Sequence, residues 1–407
     1  MAHCEKTAGE SGRSHSHRRA KGNRMAGGGQ SGGARIVAAP EIIAMAAENT
    51  RDIAPLGENR GFCAARGALG EKIEMTGVAE AESGLRRWKP LYGPIAAELD
   101  RCEELLRREL SSDDPFVDQL IKHAFRLGGK RLRPALLLLT AKAVGRAEKD
   151  HITLAAVVEM IHTATLVHDD VLDEAKLRRH RETVNARNDN EASVLVGDFL
   201  FTHAFALASS LGTTYACQTI GRATNIVCSG ELRQINSRGN FALTEAEYLD
   251  IIEAKTAELC ACCCRLGAHY AGANAELEES LDRFGRNLGI AFQIIDDLLD
   301  VVGDEDLAGK SLGSDLEKQK LTLPVIRLLA QSSEPQRGEI VRVLQRGGSE
   351  SRRALAEWLP KSDALAYAKA KANWYADLAL QELRAVAASP AREVLESLTR
   401  FVVARSE

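Results

Sequence analysis

The chain is expected to be all-α, a single large helical bundle, and three observations support this. A helical period of apolar residues runs from about Leu91 to the C-terminus with short connections. No alternation of apolar and polar residues outlasts a few positions. Two long apolar helical runs end in acidic clusters, His168-Asp169-Asp170-Val171-Leu172-Asp173-Glu174 and Asp296-Asp297-Leu298-Leu299-Asp300. At 407 residues and 45% hydrophobic content the chain can bury a large core, and we assign that core to residues 90–407.

Residues 1–74 stand apart. Gly27-Gly-Gly-Gln-Ser-Gly-Gly33 and the basic run Arg18–Arg24 carry neither a helical nor a strand period, so disorder is expected. Two other readings are a basic transit peptide, against which Glu5, Glu10 and the glycines argue, and a start of translation at Met75. From there the period gives helices over Pro94–Leu110 and Phe116–Arg126, a Gly-Gly-Lys-Arg turn, then Pro134–Val144 with its proline suited to a first turn. His151–Glu174 ends in the first acidic cluster, and Glu191–Ser210 and Tyr215–Asn236 follow. Thr244-Glu-Ala-Glu247 is a capping box that opens a helix reaching about Tyr270. Glu276–Val302 ends in the second cluster. Beyond a glycine-rich loop come Leu321–Ala330, Gln336–Arg346, Arg352–Trp358, Ala364–Ala387 and Ala391–Val403.

Composition excludes several classes. With 53 basic and 57 acidic residues and a net charge of -4, the chain lacks the footprint of a nucleic-acid binder. The apolar run from Leu136 is broken by Lys142, so no spanning segment is expected and membrane contact is peripheral at most. Nine cysteines, four of them in Cys260-Ala-Cys-Cys-Cys264, do not have the spacing of a disulfide framework and fit a reducing, cytoplasmic setting. Without a second Cys pair or nearby His, that cluster reads as small soft packing residues rather than a thiolate metal site.

In each acidic cluster the first and last Asp lie four apart and share a helical face. Such like charges repel, and a cation between them turns the cost into binding. Oxygen donors without His or Cys favour Mg²⁺, which commonly shares its shell with substrate phosphates. Apolar residues before both clusters, Thr163–Val167 and Ile290–Ile295, argue against a merely solvated acidic face.

Basic residues complete the pattern. Lys130, Arg131 and Arg133 precede a helix start, as in an anion site. His162 lies two turns before Asp169 on one face, where a neutral core histidine is the commoner reading. Arg178 and Arg179 follow the first cluster and can clamp a diphosphate, a surface salt bridge being the alternative. Lys255 sits on an apolar stripe and must reach solvent or an anion. Thr256 and Gln293 are uncharged neighbours suited to orienting a cationic intermediate. Gly303–Lys310 and Gly313–Asp315 read as a lid over a phosphate, with Lys318 and Lys320 just beyond.

GGKRLRP, DDVLDEAKLRR, Ala254-Lys-Thr256, FQIIDDLLD and GKSLGSDL followed by KLTLP together resemble the trans-isoprenyl diphosphate synthases, above all their long-chain bacterial members. His180-Arg181 departs from the glycine many members carry there, which bears on loop shape. The resemblance implies the isoprenoid synthase fold, with the active site in a central cavity between helices, and a Mg²⁺-dependent head-to-tail prenyltransferase. It implies that Asp169, Asp170 and Asp173 hold Mg²⁺ on one side of an allylic diphosphate and Asp296 on the other, with Asp297 and Asp300 in support. Arg178, Lys255 and Lys310 would hold the allylic diphosphate, farnesyl or geranylgeranyl. Isopentenyl diphosphate would sit on Lys130, Arg131, His162 and Arg179. A homodimer and a role in quinone side chains are implied as well. A class I terpene cyclase would not need GGKRLRP, a non-catalytic partner subunit would have lost aspartates, and a membrane-embedded prenyltransferase would need spanning helices. Ala164 and Thr165, about one turn before Asp169, are small and would face the start of a chain tunnel, which suggests a product of roughly six to ten isoprene units by turn counting; a farnesyl or geranylgeranyl product is the alternative.

Overall fold

The computed structural model describes residues 92–126, 129–179, 181–302 and 318–404. The disorder expected of residues 1–74, the lid with Lys310, and His180 lie outside the described residues. After a 3₁₀ turn at Gly93–Ile95 come α1 (Ala96–Glu109), α2 (Pro115–Arg126), α3 (Leu132–Val144) and α4 (Lys149–Leu172). A two-stranded antiparallel hairpin, β1 (Leu177–Arg178) and β2 (Arg181–Glu182), leads to the short α5 (Val184–Arg187). Then follow α6 (Asn190–Ser209), α7 (Tyr215–Asn236), α8 (Glu245–Ile252), a π turn (Glu253–Ala257), α9 (Glu258–Tyr270) and α10 (Ala275–Val302). The C-terminal set is α11 (Leu323–Gln331), α12 (Glu334–Arg346), α13 (Gly348–Trp358), α14 (Ala364–Glu382) and α15 (Pro390–Ala404). The all-α reading holds, and the hairpin, too short for an alternating pattern, is the addition.

Helices that are apolar all round lie inside. Leu136–Leu139 of α3 are fully buried, as are Leu154–Val158 of α4 and most of α9. Each such leucine stabilises the fold by about 1.5–3 kcal/mol. α4 packs along α6, α3 along α4 and α9, and α9 along α10. A second apolar cluster, with Tyr248, Ile252, Ile290, Ile294 and Leu298 joined to α11, α13 and α14, underlies the C-terminal half of α10. α6 is long and apolar enough, by length and composition alone, to cross a membrane. Here it packs one face on α4 and carries the exposed Val194 and Leu195 on another.

Close backbone approach sets the spacing of the inner helices. A Cβ on Gly285 would stand 2.6 Å from the Cys260 carbonyl oxygen, and one on Gly289 would stand 2.5 Å from Ala257 Cα. Cys260, Cys262, Cys263 and Cys264 are all buried in this crowded seam, and burial pushes their thiols up. They pack, as their small size suggests. On the far side of α10, Ala364, Ala368, Ala372, Ala376 and Ala379 of α14 repeat at helical spacing and are buried.

Gly285→Ala is therefore expected to destabilise the protein by about 1–3 kcal/mol through overpacking against backbone. Gly338, exposed within α12 with nothing within 4 Å of a Cβ, is the control; Gly338→Ala should be neutral or stabilising by up to about 1 kcal/mol. Thermal unfolding of both variants checks the contrast.

Candidate active site

The first cluster closes α4, where exposed carbonyls already make the helix end negative. Each aspartate there meets a cation. Arg178 reaches from β1 and donates to Asp170 from Nε at 2.9 and 3.1 Å and from a terminal nitrogen at 2.8 Å. Asp173 accepts from Arg238 at 2.9 Å, and Lys318 and Lys320 approach it at 2.9 and 3.3 Å. Burial would raise the Asp173 carboxyl, but Lys320 and Lys318 outweigh it and hold it below the usual carboxylate range. Asp170 is raised, burial outweighing Arg178. Lys255 stands 3.8 Å from Asp169, bonds the Glu231 carboxylate, and donates to Gln234 Oε1 at 2.8 Å. Burial, against the opposing pull of Lys255 and helped by Glu231 and Asp173, pushes Asp169 up to about 6. Burial works against the charge of Lys255, yet Asp169 and Glu231 outweigh it and raise its pKa.

The π turn links this cluster to the second. It carries Lys255 and Thr256, and a Cβ on Gly230 of α7 would stand 2.7 Å from the Lys255 backbone nitrogen, so only glycine lets α7 come this near. Thr256 donates to Gln293 Oε1 at 2.8 Å, and Gln293 donates to Asp297 Oδ1 at 2.7 Å. Tyr248 donates to Asp297 Oδ2 at 2.6 Å. Both Asp297 oxygens thus accept from protein donors, which suits support rather than primary ligation. Asp296 is half-buried on α10 and Asp300 is buried one turn on.

Within the basic loop, Arg131 and Arg133 meet different partners. Arg131 points away from solvent into Glu103, at 2.5 and 3.4 Å, and Glu159, at 2.6 Å, with its guanidinium 4.9 Å from the Phe125 ring centroid. Two carboxylates already claim it. Arg133 instead donates to His162 Nε2 at 2.9 Å, and its Nε is buried without a partner. Burial, then the charges of Arg133 and Arg179, push His162 well below its ordinary value, so its ring is neutral and accepts. Lys130 is exposed, with its carbonyl taking a bond from Tyr92 at 3.2 Å. Arg179 is exposed with its guanidinium lying over Gly129. Ala164 is fully buried, and Thr165, half-buried, donates to the His162 carbonyl at 2.8 Å. Among the described residues the non-glycine left-handed backbones are Arg131, Glu174, Arg179 and Gln319, all on segments that build this site.

The residues missed in the sequence are Glu231, Gln234, Arg238, Tyr248 and Arg133 as a partner of His162. Glu231 and Gln234 lie three apart on one face of α7, a signal that was available, and Arg238 lies in the turn just past its end. Tyr248 lies seven residues before Lys255, but the π turn breaks the regular phase that would have related them.

Among the described residues no three carboxylate, His or Cys groups converge into a cage for a metal. The donor set nevertheless fits Mg²⁺. It is all oxygen, it is strung along two helix ends, and Mg²⁺ is typically bound by one or two carboxylates together with substrate phosphates and water. The residues that would hold it are Asp169 and Asp170 from α4, Asp173 at its C-cap and Asp296 from α10.

Residues 114–359 match the family model described as polyprenyl synthetase. Over 312 residues the chain is 38% identical to the octaprenyl diphosphate synthase of Escherichia coli (strain K12), covering 76% of this chain and 96% of that one. Its fold is similar to the crystal structure of a decaprenyl diphosphate synthase from Rhodobacter capsulatus, with a TM-score of 0.75 and 37% identity over 78% of this chain and 99% of that one. It is also similar to a polyprenyl synthase from Caulobacter crescentus CB15 complexed with calcium and isoprenyl diphosphate, with a TM-score of 0.74 and 37% identity over 78% and 97% of the two chains.

The raised Asp169 gives a test with a definite sign. The folded state holds this proton more tightly than the unfolded chain, so Asp169 costs stability progressively as pH rises from about 4 to about 6. Asp169→Asn should raise the unfolding midpoint at pH 7.5, by the equivalent of on the order of 1–3 kcal/mol, while the gain disappears near pH 4 and activity is lost. Thermal melts at the two pH values check it.

Proposed function

The chain belongs to the polyprenyl synthetase family and is a prenyltransferase, and from that premise we propose that it adds isopentenyl diphosphate head to tail onto an allylic diphosphate to make a long-chain polyprenyl diphosphate for a quinone side chain. The observation that carries the reading is the π turn, which sets Lys255 against Asp169 and Thr256 against Gln293, so that one turn reaches both aspartate-bearing helix ends, the first through a cation and the second through dipoles. Farnesyl or geranylgeranyl diphosphate is the primer.

When bound, Mg²⁺ supplies the charge that lets the diphosphate leave. Arg178, Lys255 and Lys310 bind the allylic diphosphate, and fixed cations of this kind stabilise charge as it develops on the leaving group. Thr256 Oγ1 and the Gln293 amide oxygen, held by the chain of bonds to Asp297 and Tyr248, orient the allylic cation without adding to it. Isopentenyl diphosphate is held by Lys130, Arg133, His162 and Arg179, Arg133 taking the role first expected of Arg131. The double bond then attacks the cation, and the proton is lost to the departing pyrophosphate, so no separate base is required.

Growth follows the α4 face beneath Asp169, past Thr165 and Ala164, where small side chains leave room for a chain of roughly six to ten units by turn counting. Val194 and Leu195 of α6, and Leu232 of α7, are large apolar residues left exposed on neighbouring helices, and a second copy of the chain is their proposed partner. We place the enzyme in the cytoplasm, in keeping with the unpaired cysteines among the described residues.

Purified protein given isopentenyl and farnesyl diphosphates should turn over only with Mg²⁺ and release products of about six to ten units by turn counting; product sizing by chromatography would expose a short-chain synthase as the true reading. Asp170→Ala and Asp297→Ala should each lower turnover by about 100-fold or more with helicity intact by circular dichroism. Ala164→Phe should shorten the product to about three or four units, since an isoprene unit and a helical turn are each about 5 Å long. Unchanged product length in that variant would place the tunnel elsewhere.

A further inference from the structure

We infer that Arg131, Glu159 and Glu103 form a buried clip that positions the isopentenyl diphosphate subsite, with Arg131 a positioning residue and not a ligand of the phosphate. The inference rests on the reading that Lys130, Arg133, His162 and Arg179 hold that diphosphate. The side chain of Arg131 is 11% exposed and that of Glu159 3% exposed. Its guanidinium meets α1 through Glu103, α2 through the Phe125 ring and α4 through Glu159. One cation between two carboxylates leaves the trio with a net negative charge, so it offers a diphosphate no attraction.

What the trio fixes is the start of α3. Arg131 is its N-cap, with φ 52, a left-handed backbone that a non-glycine residue keeps only when its surroundings hold it there. Two residues on, Arg133 meets His162, and Glu159 lies three residues before His162 on the same face of α4. The clip and the Arg133–His162 pair therefore cross the α3–α4 seam side by side. Just before the N-cap, Tyr92 anchors the Lys130 carbonyl at 3.2 Å. With the clip cut, Lys130 and Arg133 lose their common frame while Lys255, Arg178 and the aspartates keep theirs.

The test compares steady-state kinetics of Glu159→Gln, Arg131→Gln, their double variant and Arg133→Gln, with isopentenyl diphosphate and farnesyl diphosphate varied separately. The clip predicts that Glu159→Gln and Arg131→Gln each raise KM for isopentenyl diphosphate by roughly tenfold, leave KM for the allylic substrate unchanged, and do not add in the double variant. If Arg131 binds the phosphate directly, Glu159→Gln frees its guanidinium, KM falls or stays constant, and the clip is overturned. Arg133→Gln separates this from the underlying reading: an unchanged KM for isopentenyl diphosphate there removes the subsite itself and the clip with it. Arg131→Gln leaves two buried carboxylates together, and where it does not fold, Glu159→Gln, which keeps the shape and removes one charge, decides the matter alone.

Discussion

Carboxylates gathered at the C-terminal ends of two helices repel one another and the helix dipoles, and the rest of the site is arranged to answer that repulsion. Arg178 on Asp170, Lys255 beside Asp169, and Arg238, Lys318 and Lys320 around Asp173 come from four separate segments. Each is drawn in by charge, and each is a side chain of the kind that binds phosphate. The site is thus already balanced by ion pairs before anything binds. Such pairing lowers the penalty that a bare buried carboxylate would impose.

That pairing needs a rigid frame, and the frame is built from small residues. Gly230 on α7 and Gly285 and Gly289 on α10 let two backbones close on the π turn and its continuation. The same crowding accounts for the cysteines, which fill space where Leu would not fit.

The helical period was legible from the sequence because it persists through most of the chain, and the helix ends fell within a few residues where caps or glycines mark them, as at the Thr244–Glu247 box. The acidic clusters and Lys255 were legible because charged residues inside apolar runs contradict their surroundings. Arg131 and Arg133 were not separable, since both are arginines in one short loop and the difference is made by Glu103 and Glu159, 28 residues away on either side. Tyr248 and the hairpin escaped for related reasons. A π turn alters the angular relation between residues without leaving a mark in composition, and two-residue strands are shorter than any period.

The π turn has one more consequence. Residues of α8 belong to the apolar cluster under α10, whereas those of α9 belong to the main core. A continuous α-helix would tie the angular setting of one to the other at about 100° per residue. The inserted residue lets each half face its own core, so Lys255 and Thr256 occupy a dislocation between two packing lattices. A deletion there would restore an ordinary helix and could satisfy only one lattice at a time, so the irregularity is a geometric requirement of joining the two.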